Sequence, residues 1–215
     1  MRNNNRSIRI SRASLEILVL AILSLCTINW FRGDYFIKTL DSMFGFNHDI
    51  LAYYARFLWN DMKSFGIAFP AYNQLPLHIF LGFLFKTFGL ITGQKIAFYI
   101  LVFASMLSFW VFLYSSISNE FSLAHSISRI MASVFYSFNP FSMSFFWWHH
   151  MPFVFFWIAT PIIFVLFIKI LDTDNISKCI VYAIILSLMF TVFSAGINLV
   201  SLAVLVYMFL LYLLL

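Results

Sequence analysis

The stretch LPLHIFLGFLFKTFGL, Leu75 to Leu90, decides how this chain is threaded. It is apolar enough to form a short spanning helix, yet it carries His78 and Lys86 and has three glycines in or beside it, Gly82, Gly89 and Gly93. Six further apolar runs, at 14–31, 96–117, 130–147, 151–170, 179–193 and 197–215, read as membrane spans. Counting the Leu75 stretch makes seven spans, and omitting it makes six. The distribution of cations favours omission. With six spans Arg129, Lys169 and Lys178 fall in cytoplasmic connections, while Trp147-Trp148-His149-His150 and Ser194-Ala195-Gly196-Ile197-Asn198 face outward. With seven, those assignments reverse. The Leu75 stretch therefore reads as a juxtamembrane helix lying along the outer interface.

Composition supports a bilayer as the solvent. Of 215 residues, 63% are hydrophobic and 21% aromatic, only 10% are charged, and the mean hydropathy is +0.94. A soluble domain is nearer a quarter charged, so a cytosolic enzyme, a secreted disulfide scaffold and a disordered chain are all excluded. Cys26 and Cys179 lie in or beside apolar runs and suggest no disulfide framework. The net charge of +5 reads as topology rather than as nucleic-acid affinity, because Arg2, Arg6, Arg9 and Arg12 all precede the first run. That run is longer than the apolar core of a signal peptide and no small-residue cleavage site follows it, so it reads as an uncleaved anchor with a cytoplasmic N-terminus.

The expected fold class is all-α, a polytopic transmembrane bundle of about six spans with a long external first loop. Its parts are a cytoplasmic basic tail (1–13), a first span (14–31), the external loop with amphipathic juxtamembrane helices (32–95) and five further spans (96–215). The last run ends in Leu211-Tyr212-Leu213-Leu214-Leu215 without a polar flank, which suggests a fragment of a longer protein. Glu16 and Lys169, near span ends, are expected to snorkel. With charge otherwise nearly absent from the spans, a proton-coupled transporter is disfavoured.

The external loop concentrates the chemistry. It holds ten charged residues, among them Asp34, Asp41, Asp49 and Asp61. A carboxylate at the outer leaflet can activate an acceptor hydroxyl as a general base or bind a divalent metal; each one alone is equally well a solvated loop residue. Asp49, Tyr53 and Arg56 recur at i, i+4 and i+7, so a helix is expected from Asp49 to Asn60, with Asp49 either its N-terminal cap or a functional group. Asn73 and Gln74 lie between Pro70 and Pro76, where an amide bonds a backbone carbonyl or a sugar. Adjacent His149 and His150 point apart in regular structure and make a weak metal pair, but they can meet a phosphate on a shared outer rim. No zinc-type His spacing, Walker loop, dinucleotide fingerprint or nucleophile elbow is present in the sequence.

Several strings together resemble the GT-C superfamily of integral-membrane glycosyltransferases. Lys38-Thr39-Leu40-Asp41, Tyr54-Ala55-Arg56-Phe57-Leu58-Trp59, Ser64-Phe65-Gly66 and Asn73-Gln74 are similar to the first loop of its arabinofuranosyltransferase-type members. Val134-Phe135-Tyr136-Ser137-Phe138-Asn139-Pro140 is similar to an aromatic-proline span end, Ala159-Thr160-Pro161 to an in-span proline, and Ser194-Ala195-Gly196-Ile197-Asn198 to a small-residue turn. The resemblance implies transfer of a sugar from a polyprenyl-phosphate donor to a glycan or glycoprotein acceptor outside the plasma membrane, with a loop aspartate as base. Asp41 matches the Lys-x-x-Asp string, Asp49 matches an Asp-x-x-x-Tyr spacing of related aminoarabinose and mannosyl transferases, and Asp34 competes by its closeness to the first span. Arg56 and His149 or His150 would compensate the donor phosphate; Asn73, Gln74 and Asn198 would bind substrate. Complete members carry more spans and often a soluble C-terminal domain. The alternative reading is a non-catalytic membrane protein, either a lipid-linked oligosaccharide transporter or an accessory subunit of a transferase.

Overall fold

The computed structural model describes residues 2–31, 33, 59–60, 67–68, 75–116, 122–148 and 151–193. Helix α1 (Arg2–Ser24) continues into a 3-10 turn, Leu25–Trp30. A two-residue antiparallel ladder pairs β1 (Trp59–Asn60) with β2 (Ile67–Ala68), and six helices follow. These are α2 (Leu75–Phe88), α3 (Leu90–Ser116), α4 (Leu123–Phe138), α5 (Pro140–Trp148), α6 (Met151–Leu171) and α7 (Ile176–Phe193). Apart from the ladder the described chain is helical. Three helical stretches, Arg12–Trp30, Leu90–Ser116 and Val154–Leu171, are long and apolar enough to cross a membrane. Large apolar side chains also cover their outward faces: Leu15, Leu18 and Ile22 on α1 are each more than half exposed, as are Ile180, Ile184 and Leu188 on α7. Such faces suit hydrocarbon and would be costly in water.

Paired contacts fix the helix directions. Glu16 meets Trp110, the Phe31 and Phe98 rings lie 5.1 Å apart, and the Lys95 ammonium donates to the Gly33 carbonyl at 3.1 Å, so α1 and α3 run antiparallel. Arg129 reaches Glu16 while Ser137 donates to Ser105 at 2.9 Å, which sets α4 antiparallel to α3 and alongside α1. The contacts of Phe109 with Tyr136, of Tyr136 with Trp157 and of Phe112 with Phe164 make α6 parallel to α3. Lys169 over the Tyr182 ring, across a four-residue connection, turns α7 back along α6. One end of the bundle thus gathers the start of α1, the end of α3, the start of α4 and the α6–α7 connection. We call it the first end; Gly33, Gly89 and the start of α6 mark the second.

The stretch that decides the threading does not lie along the interface as expected: it is a helix folded back along α3, itself long and apolar enough to span. Gly89 has φ +78°, a left-handed position that closes α2 without the penalty a Cβ would bring, and its N–H bonds the Phe85 carbonyl. Leu81 and Leu84 of α2 are buried in the same core as Phe98, Leu101 and Val102 of α3. The approach is close enough that a Cβ on Gly93 would stand 2.7 Å from the Phe85 ring and 3.0 Å from the Leu84 carbonyl oxygen. With 14 residues α2 is about 21 Å long, short of the hydrocarbon thickness of about 30 Å.

Three further sequence expectations need correction, and one gains detail: residues 2–13 are helical and continuous with the apolar run. The spanning helix expected from residue 96 begins at Leu90, because Gly93, Gln94 and Ala97 continue its buried face. The helix expected through Asn60 does not reach that residue: Trp59 and Asn60 pair with Ala68 and Ile67, and Trp and Ile are residues that favour strands. The run 130–147 is two helices broken at Asn139, and side-chain hydrogen bonds cover the break. Proline disfavours the helical conformation in the residue before it, and Asn139 sits at ψ 157°. Its carboxamide oxygen accepts from the N–H groups of Phe141 and Ser142, each at 3.0 Å, capping α5, with Pro140 in the first helical position. Its Nδ2 donates to the Tyr136 carbonyl at 2.7 Å, and Ser142 Oγ donates to the Ser137 carbonyl at 3.0 Å. The carbonyls of Tyr136 and Ser137, freed at the break, are therefore bonded inside the protein, as a low-dielectric surrounding favours.

Pro161 inside α6 is handled similarly. Having no N–H, it leaves the carbonyl of Trp157 without its helical partner, and the Tyr136 hydroxyl donates to that oxygen at 2.8 Å. Stacking of the Tyr136 ring between Phe109 (4.4 Å) and Trp157 (4.5 Å) holds the hydroxyl in place. Tyr136→Phe should lower unfolding stability in bilayer discs by about 1–3 kcal/mol, the cost of an orphaned buried acceptor. Pro161→Ala restores the backbone donor, so adding it to Tyr136→Phe should recover most of the loss; no recovery would show that the hydroxyl serves another purpose.

Candidate functional site

All nine residues expected to carry function, Asp34, Asp41, Asp49, Arg56, Asn73, Gln74, His149, His150 and Asn198, lie outside the described residues. Their described neighbours share one property. Gly33 precedes the segment that holds the aspartates, Trp148 and Met151 border the histidines, and Phe193 precedes Asn198. Each border stands at the second end of the bundle or on a helix running toward it. Lys95, bonded to Gly33, adds a cation at that rim.

The polar constellation within the described residues sits toward the first end. Glu16 on α1 is 3% exposed and Arg129 on α4 is 7% exposed. Their contact is bidentate: the guanidinium donates through NH2 to Oε1 at 2.6 Å and through Nε to Oε2 at 3.0 Å. Trp110 of α3 donates its indole N–H to Oε2 at 2.7 Å. Arg129 also stands 5.6 Å above the Tyr114 ring, which stacks on Trp110 at 4.9 Å. Three helices thereby meet on one carboxylate. Ser122 caps the start of α4 by accepting from the His125 N–H at 3.2 Å, setting the helix register that brings Arg129 onto Glu16.

Two sequence expectations fail here. Glu16 does not snorkel, and Arg129 lies in no connection but in the second turn of α4, facing inward. The physical reason is complementarity: a carboxylate and a guanidinium on neighbouring helices at similar depth lose less by pairing than by each seeking water separately. The available signal was an acid inside one apolar run and a cation at the border of another. Chemically the cluster is saturated, with both carboxylate oxygens accepting from fixed donors, so it positions helices and offers no base to a substrate. Among the described residues no group of three His, Cys, Asp or Glu stands close enough together to hold a metal.

Comparison of the chain with protein-family models, with curated proteins and with solved structures finds no match.

Proposed function

We propose that this chain is the N-terminal membrane portion of a GT-C type glycosyltransferase, which moves a sugar from a polyprenyl-phosphate donor to an acceptor outside the plasma membrane. The support is that Gly33 before the acidic segment, Trp148 and Met151 beside the histidine pair, and Phe193 before residues 194–198 lie at one end of an apolar helical bundle or on helices running toward it. A donor whose lipid tail lies in the bilayer presents its phosphate at such a rim. In this reading a loop aspartate, Asp41 or Asp49, takes the proton of the acceptor hydroxyl. Arg56, with His149 or His150, offsets the charge of the departing phosphate. The N-terminus is cytoplasmic and the chain has six spans; the contact of Gly33 with Lys95, in the second turn of α3, supports a segment that leaves and returns on one side.

Two measurements test this. Single cysteines at Ser42, Ser122 and Asn175, in a Cys26→Ala, Cys179→Ala background, should label with an impermeant thiol reagent from outside at Ser42 alone. Labelling at Ser122 or Asn175 from outside would reverse the topology and remove the external site. Transfer from a lipid-linked sugar should also depend on the loop aspartates; transfer unchanged in both Asp41→Ala and Asp49→Ala would leave the non-catalytic reading in place.

A further inference from the structure

Between α1 and α4, toward the first end, runs an open groove of about 220 Å³. Its walls are Arg12, Leu15 and Val19 from α1 and Ser126, Ile127 and Ile130 from α4, with the Glu16 carboxylate on its inner side and Leu123 at its start. On each helix the lining residues recur at i, i+3, i+4 and i+7, one face of a helix. Because the two helices run alongside each other, the lining is graded with depth. Arg12 stands two residues before the apolar run 14–31, where a basic side chain reaches the headgroups. Val19 and Ile130 lie about 10 Å deeper, by the helical rise of seven residues. A groove with a cation at its mouth and branched apolar side chains below fits an amphiphile with an anionic head.

Charge selects the kind of amphiphile. Glu16 is already neutralised by Arg129, so it does not oppose an anion beside it. Arg2, Arg6 and Arg9 precede Arg12 in the sequence and add positive charge to the segment leading into the groove. We infer that the α1–α4 groove binds an anionic phospholipid of the leaflet at the first end, its phosphate at Arg12 and an acyl chain along Leu15, Val19, Ile127 and Ile130. This site is at the opposite end of the bundle from the segments proposed to bind the sugar donor, and it does not depend on that proposal.

The test places a bimane fluorophore on Ile127→Cys in the Cys26→Ala, Cys179→Ala full chain, reconstituted in phosphatidylcholine vesicles. These contain a minor fraction of doxyl-labelled phosphatidylglycerol or doxyl-labelled phosphatidylcholine. One cation at a membrane surface supports a preference of about fivefold, so labelled phosphatidylglycerol should quench at correspondingly lower mole fraction. Arg12→Gln should abolish the difference and Arg12→Lys should retain it. A fluorophore at Ile184→Cys, on the outward face of α7, should show equal quenching by both lipids, and its unchanged signal in each variant certifies insertion. Equal quenching at Ile127 in the parent, or a preference that survives Arg12→Gln, would overturn the inference. So would loss of the preference on adding inorganic phosphate, since that would indicate a site for the free anion.

Discussion

Arg129→Met should destabilise the folded bundle by about 3–5 kcal/mol, the cost of stranding one member of a buried ion pair. The loss belongs to Glu16, which would remain buried between α1, α3 and α4 without the guanidinium that neutralises it. Glu16→Leu should cost a comparable amount, because it strands a guanidinium that otherwise makes two charge-assisted bonds to one carboxylate. The double variant separates pairing from packing. Removing both charges eliminates the desolvation penalty along with the attraction, so Glu16→Leu with Arg129→Met should be far less destabilised than the sum of its parts. Recovery should be incomplete for an identifiable reason: the Trp110 indole N–H then loses its acceptor, leaving a deficit of about 1–3 kcal/mol. Adding Trp110→Phe should remove that deficit. The measurement is unfolding in bilayer discs across the four variants, read as a thermodynamic cycle. Strict additivity would mean that Glu16 and Arg129 are not coupled.

The cluster and the helix break illustrate what a sequence of this kind does and does not reveal. That the chain is helical and apolar followed from composition and run length, and helix α6, Met151–Leu171, coincides closely with the run 151–170. Boundaries were less legible, because hydropathy sees apolar side chains and is blind to where backbone hydrogen bonds end. Asn139-Pro140 hides inside a continuous apolar run, although an N-cap residue followed by proline at the first helical position is a local signal for a new helix. Gly93, Gln94 and Ala97 illustrate the converse, with polar and small residues carrying a spanning helix beyond the end of its apolar run. Glu16 and Arg129 were misread individually since pairing is a property of two distant positions, 113 residues apart. The proline at 161 was visible; its partner Tyr136 was not, since nothing local to either residue names the other.

Asp41→Ala or Asp49→Ala should lower the turnover of sugar transfer by about 10²–10⁴-fold if the residue replaced is the base, and by little if it is not. The contrast between the two is what identifies it, since one acceptor hydroxyl needs one base and both residues have a claim on that role. A base acts only as the hydroxyl is deprotonated, so its loss should fall on kcat and leave KM for the lipid-linked donor nearly unchanged. Arg56→Gln should behave differently: a cation that meets the donor phosphate in the ground state as well as in the transition state raises KM, and it lowers kcat only to the extent that charge develops on the leaving group. Asp34→Ala serves as the third arm, testing the aspartate nearest the first span. Arg12→Gln, at the opposite end of the bundle, is a control expected to leave kcat unaltered. The assay uses membranes containing the complete protein, a defined polyprenyl-phosphate sugar and an acceptor glycan. A single loss of turnover at Asp41 or Asp49, with KM preserved, would assign the base. Equal and modest losses at Asp34, Asp41 and Asp49 would instead mean that the carboxylates act together through their field, as a site for a divalent cation does, and added chelator would then reproduce the loss in the unmodified protein.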